Sequence, residues 1–142
     1  MKKPVRPYVK ARINVGNPAT GQKFSPRDKA SIFIDTGSSK TILPLEALLV
    51  LEETIGPFQK APALVQTVKG PVMMLAVRNA RLCVENCCYQ GDVLVADRVP
   101  GDVLIGADFL SATKATIDFK KGSFKCDASK KRIRMGGRNG KS

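Results

Sequence analysis

The sequence predicts a mainly β domain, a small closed or folded-over sheet with one or two short helices. Three features carry that expectation. Apolar residues come in short runs, residues that favour turns separate those runs, and one stretch alone has a clear helical period.

Taken in order, Ala11 to Val15 is the first apolar run, and Gly16-Asn17-Pro18 ends it. Ser31 to Ile34 is the second. Pro44 to Thr54 is the helix candidate: Pro44 suits a first helical turn, Leu45, Leu48, Leu49 and Glu52 fall at helical spacing, and Gly56-Pro57 stops the helix. Beyond the turn signal Lys69-Gly70-Pro71 lie Val72 to Val77 and Ala80 to Val84. Val93 to Ala96 then precedes Pro100-Gly101, and Val103 to Ile105 leads into a shorter helical turn over Asp108 to Ala112. Thr116 to Phe119 and Ser123 to Cys126, separated by Lys121-Gly122, complete the set.

A chain of 142 residues with 43% hydrophobic composition supports one core, assigned to residues 1–127. Residues 128–142 carry Lys130, Lys131, Arg132, Arg134, Arg138 and Lys141 among glycines and too little apolar surface to pack. A flexible tail, or one that orders only on a partner, is expected there. Its end, Gly140-Lys141-Ser142, is not a phosphate loop, because the first glycine of that motif would fall at Met135. No stretch approaches the roughly 20 apolar residues of a membrane helix, and Met1-Lys2-Lys3-Pro4 is not followed by a signal-peptide core. These features predict a soluble, cytoplasmic protein without a membrane partner.

Histidine is absent, which excludes a Ser-His-Asp triad, a Cys-His dyad and His-ligated zinc. Acid-base chemistry falls to Asp, Glu, Lys, Tyr or Cys. The net charge of +12 favours acidic partners, and nucleic acid held by the basic tail is one of them. Cys83, Cys87, Cys88 and Cys126 lack the paired spacing of a zinc ribbon, so no metal and no cofactor is expected. If the chain turns at Glu85-Asn86, Cys87 and Cys88 point to opposite faces, and Cys83 could face Cys88. Free thiols are the expectation for an intracellular chain.

The informative stretch is Ile32-Phe33-Ile34-Asp35-Thr36-Gly37-Ser38-Ser39, an apolar strand that delivers a carboxylate into a Thr-Gly turn. Burying a carboxylate is costly unless it is hydrogen-bonded or shares its charge, so such an Asp either caps a turn or is used. The plainer reading is an Asx-turn or a helix cap. A second element, Asp102-Val103-Leu104-Ile105-Gly106-Ala107-Asp108-Phe109-Leu110, echoes the first: an apolar strand, a glycine and a helical segment.

With these two motifs in this order, the chain resembles the retroviral-type (retropepsin-like) aspartic proteases over about Ala11 to Cys126. The resemblance implies a small closed acid-protease barrel that works as a homodimer, an endopeptidase acting on polypeptide substrates. It implies that Asp35 is catalytic, that Thr36 braces the loop of the partner subunit through hydroxyl-to-backbone bonds, and that Gly37 admits the substrate backbone. Leu104, Ile105 and Gly106 would thread beneath the catalytic loop. Only one Asp-Thr-Gly occurs, so two copies of Asp35 must meet at a two-fold axis and share a proton, one activating water and the other donating to the scissile carbonyl.

Members of that family cover the substrate with a hairpin flap. The candidate here is Leu64 to Val77, with its tip at Thr67, Val68, Lys69, Gly70 and Pro71. Val72, Met73, Met74 and Leu75 run without alternation, as if one face met the core and the other lined a cleft. Two departures from the retroviral pattern stand out. Ser38 replaces the usual Ala, and a hydroxyl donating to the outer carboxylate oxygen would lower the active pH range, so that Ser38→Ala raises it. Gly106-Ala107-Asp108 replaces Gly-Arg, which places the chain nearer the retrotransposon and cellular branch. The competing class is a catalytically silent dimer of the same fold that binds protein or nucleic acid.

Overall fold

The structure, a computed structural model, describes residues 7–126. The expectations for the first six residues and for the basic tail lie outside the described residues. Within them the protein is mainly β, with two helices and a sheet curled into a half-barrel.

That curl begins at Arg12, where the single strand expected over Ala11 to Val15 is two: β1 (Tyr8–Ala11) and β2 (Ile13–Asn17). β1 pairs with β4 (Ala30–Ile34), while β2 pairs with β3 (Gln22–Phe24) on one side and β7 (Gly70–Val84) on the other. One residue therefore separates strands that lie far apart in the sheet order, and the sheet must bend to accommodate them. The turn after β2 falls over residues 18–21, two positions later than Gly16 predicted, because Gly16 and Asn17 still pair with β3.

Between its ends the sheet runs β4, β9 (Val103–Ile105), β5 (Ile42–Pro44), β8 (Cys87–Ala96) and β7, with β6 (Lys60–Thr67) added along β7. β9 lies parallel to β4 and antiparallel to β5. It is covered on both faces, so all three of its residues are buried, whereas β4 alternates buried Ala30, Ile32 and Ile34 with half-buried Ser31 and Phe33. Ile32, Val103 and Ile105 are fully buried, and each contributes roughly 1.5–3 kcal/mol by the area it removes from water. The chain that carries Asp35 is thus fixed at the centre of the core.

Helix α1 (Leu45–Ile55) starts after an extended Pro44. It buries Leu48, Leu51 and Ile55 and leaves Leu45 and Leu49 exposed, a different stripe from the one expected. Residues 47–51 are all apolar, so the period admitted two adjacent faces and packing chose between them. Asn17 satisfies the open carbonyls at its end: Nδ2 donates to Ile55 O at 3.2 Å and Pro57 O at 3.0 Å, and Thr20 Oγ1 adds a bond to Ile55 O at 2.9 Å. Glu52 pairs with Lys60 and so ties the helix to the root of β6. Burial pushes the Glu52 carboxyl up, but the hydrogen bonds from Lys60 and the Phe58 amide, with the Lys60 charge, leave it lowered.

Helix α2 (Ala107–Thr113) follows β9, and β10 (Thr116–Asp118) with β11 (Ser123–Lys125) forms a separate hairpin. Buried Phe124 joins that hairpin to α2 by an edge-on contact with Phe109, ring centroids 6.0 Å apart. The cysteines depart from expectation. The β7–β8 register places Cys83 opposite Cys88, Cα atoms 4.0 Å apart, and the two form a disulfide; Cys87 is bonded to Cys126, 39 residues away. The facing of Cys83 and Cys88 was legible in the turn at Glu85-Asn86. The Cys87–Cys126 approach depends on where β11 packs, which no local pattern encodes. Among the described residues no helix is long and apolar enough to cross a membrane.

Candidate active site

Because β9 lies between β4 and β5, the loop that joins β4 to β5 must arch over the end of β9. That loop is residues 35–41, and Asp35 is its first residue. The Asp35 amide donates to Ile105 O at 3.0 Å, which continues the β4–β9 ladder by one step. The carboxylate is therefore placed by the most buried part of the sheet and is itself half-buried.

Local geometry then turns the chain away. Asp35 Oδ1 accepts the Gly37 amide at 3.0 Å, and the Ser38 amide donates to Asp35 O at 3.1 Å, so the Asx-turn of the plainer reading is present. It engages one carboxylate oxygen; Oδ2 has no hydrogen-bond partner among the described residues. Thr36 and Gly37 are exposed. A Cβ added at Gly37 would sit 3.3 Å from Asp35 Oδ1, so glycine leaves the face of the carboxylate open.

Ser38 departs from the sequence expectation. Its hydroxyl donates to Lys40 O at 2.8 Å, not to the Asp35 carboxylate. The single hydroxyl proton is committed to a backbone carbonyl two residues on, a local bond that the Ser-x-Lys spacing allows. Ser38→Ala is therefore expected to leave the pH dependence of any Asp35 chemistry unchanged and to cost about 1 kcal/mol of stability, measurable by denaturant unfolding.

The second motif lies against the first. A Cβ on Gly106 would strike the backbone oxygens of Lys40 and Ser38, the latter at 2.8 Å, so the loop rests directly on this glycine. The Ala107 amide donates to Ser38 O at 2.7 Å and the Asp108 amide to Ser39 O at 3.2 Å. Leu104 and Ile105 are buried beneath and are strand partners of Phe33 and Ile34.

Thr41 and Asp108 complete this brace, and the sequence reading did not assign either a role. Thr41, fully buried, accepts the Gly106 amide at 3.1 Å on its hydroxyl oxygen and donates to Asp108 Oδ1 at 2.8 Å. Its own amide donates to Asp108 Oδ2 at 3.2 Å. Asp108 thus holds the far end of the Asp35 loop. Neither carries a local sequence signal: Thr41 lies just before β5 and Asp108 just after Gly106-Ala107. Replacing Thr41 by Val keeps the shape but leaves the Gly106 amide unpaired and takes from Asp108 Oδ1 one of its two hydrogen bonds, the other being from the Phe109 amide; a loss of about 1–3 kcal/mol in unfolding free energy is expected. Nearby, burial and then the carboxylates of Asp108 and Asp92 push the Tyr89 phenol up, so it stays protonated.

The flap candidates form a hairpin. β6 and β7 pair from Lys60 opposite Val77 to Thr67 opposite Gly70, with Val68 and Lys69 at the turn. Gly70 has φ 120°, a backbone that other residues rarely adopt, and Thr67 Oγ1 donates to Gly70 O at 2.6 Å. Of Val72 to Leu75, only Leu75 packs against the core. Val72 and Met73 are exposed, Met74 and Leu75 only half-buried, and Leu64 opposite Met73 is exposed too. Toward its tip the hairpin exposes Leu64, Val72 and Met73, while Val65 and Met74 are half-buried.

No group of three potential metal-ligating side chains occurs among the described residues. No protein-family model matches the chain, and no curated protein matches it.

Proposed function

We propose that the protein is an aspartic endopeptidase of the retropepsin-like type, in which two copies bring their Asp35 side chains together. The observation that carries this reading is the crossed arrangement at Asp35: a carboxylate-bearing loop arched over β9 and resting on Gly106, with one carboxylate oxygen held by Gly37 and the other unbonded. An Asx-turn alone would not require a core strand beneath the loop or a glycine fitted against two loop carbonyls.

In this reading the curled sheet of each chain is the family's closed barrel. Thr36 and Gly37, exposed in one chain, meet their counterparts in the dimer, and the β6–β7 hairpin, with Leu64, Val72 and Met73 exposed, closes over an extended polypeptide. Two adjacent carboxylates cannot both ionise cheaply, so the pair holds one proton near working pH. The ionised member draws a proton from water as it attacks the scissile carbonyl. The protonated member donates to the carbonyl oxygen, giving a tetrahedral gem-diol; as this collapses, the carboxyl that took the water's proton passes it to the amine, which leaves, and the other carboxylate takes a proton from a diol hydroxyl, so the pair again holds one proton. The attacking water is the only nucleophile, so no covalent intermediate with the protein forms.

The test is digestion of a peptide library from acidic to neutral pH, with sedimentation of the same sample. Cleavage by a dimeric species supports the proposal. Cleavage by a strict monomer, or a dimer that cleaves nothing across that range, defeats it; the second outcome would favour a silent binding dimer.

A further inference from the structure

A groove of about 590 Å³ lies away from the Asp35 loop, between the β2–β3 hairpin, helix α1 and the loop that leads into β9. Ile13, Val15, Phe24, Leu43, Val50 and Leu51 supply its apolar surface. Its charged rim is mainly acidic: Asp28, Glu46, Asp97 and Asp102 against Lys29 and Arg98. The whole chain has only 12 Asp and Glu beside 24 Lys and Arg, so a third of its carboxylates gather at one place. None of the four is in a salt bridge among the described residues, where the ion pairs are Lys60–Glu52 and Arg78–Asp92. In so basic a protein, an unpaired acidic rim around an apolar floor calls for a basic, partly apolar occupant.

We infer that this groove is the docking site for the chain's own segment Lys130-Lys131-Arg132-Ile133-Arg134-Met135. The chemistry matches: four cations for the rim and two apolar side chains for the floor. So does the connection. Ser123, Phe124 and Lys125, directly before the tail, line a smaller recess with Lys10 and Lys29, and Lys29 also lines the groove. Lys130 is four residues beyond Cys126, a reach of about 14 Å when extended. The nearer recess sets Lys10, Lys29 and Lys125 against Glu85 alone, a net positive lining that leaves the acidic rim as the more favourable place for a basic segment. The inference does not depend on Asp35 chemistry.

The full chain tests it in two ways. A carbodiimide that couples lysine amines directly to carboxylates, applied to a mixture of isotope-labelled and unlabelled chains, is expected to join Lys130 or Lys131 to Glu46, Asp97, Asp28 or Asp102 within one chain. Trypsin is expected to cut at residues 130–134 about tenfold faster in the double variant Glu46→Gln, Asp97→Asn, the effect of losing two exposed ion pairs. Salt near 1 M, where charges are screened within about 3 Å, should abolish both the cross-links and the protection. Cross-links only between chains, tail cross-links to carboxylates outside the groove, or equal trypsin rates in the two proteins would each overturn the assignment.

Discussion

Asp35→Asn is expected to remove peptide-bond cleavage while leaving the fold and the dimer in place. The amide is nearly isosteric with the carboxylate, and its Oδ1 still accepts the Gly37 amide, so the turn that Asp35 now makes at 3.0 Å survives. The backbone bond from residue 35 to Ile105 O does not involve the side chain. What disappears is the ability to hold and release a proton, at both halves of the shared site at once, since each subunit carries the same substitution. Positioned acid-base groups contribute roughly 10²- to 10⁴-fold each, so the rate should fall by at least that factor at every pH. Cleavage rates, measured beside the melting temperature and the sedimentation of the variant, check the prediction. An Asp35→Asn variant that still cleaves at the parent rate would mean that Asp35 serves the turn alone.

How much of this site was legible before folding depends on how local each part is. Asp35-Thr36-Gly37 and Leu104-Ile105-Gly106 are contiguous patterns, and the apolar residues leading into each glycine turn have to be strands because they are short, rich in β-branched residues and bounded by turn residues. Their contact could be expected only from the resemblance. The structure supplies the physical cause, β9 running between β4 and β5. Thr41 and Asp108 stayed hidden because their bond spans 67 residues and neither position is unusual in its own neighbourhood. Ser38 differs for the opposite reason: its hydroxyl bonds within its own tight loop, to the Lys40 carbonyl at 2.8 Å. β3 was missed because it carries a single apolar residue, Phe24, and β5 because its Pro44 read as the start of the helix; of β6 only the part from Leu64 was expected, as one arm of the hairpin, because Pro62 argues against a central strand and is tolerated where β6 runs along the sheet with β7 as its partner. The acidic rim of the groove was invisible for the same cause as the Cys87–Cys126 pair, since residues from three distant segments form it.

Gly106→Val is expected to be the most damaging single change to the fold near the site, and the reason is steric. Even the first added carbon meets the Lys40 and Ser38 carbonyl oxygens, which are backbone atoms and cannot rotate away. Both are already engaged: Ser38 O accepts the Ala107 amide at 2.7 Å, and Lys40 O accepts the Ser38 hydroxyl at 2.8 Å. Lifting the loop to admit a side chain therefore breaks its bonds to α2 and pulls the Gly106 amide from Thr41. Overpacking of a filled core costs typically 1–3 kcal/mol and sometimes more, and the lost bonds add to it, so about 3–4 kcal/mol of destabilisation is expected. In a domain of this size that is a fall of roughly 10 °C in melting temperature. Gly106→Ala should show a smaller loss of the same kind, which separates local crowding from general misfolding. Loss of cleavage in the Ala variant, with the dimer still formed, would show that the height of the loop above β9 sets the reach between the two carboxylates. Full activity and stability in both variants would contradict the tight seating of the loop on Gly106, and with it the argument that a core strand beneath Asp35 distinguishes this loop from an ordinary turn.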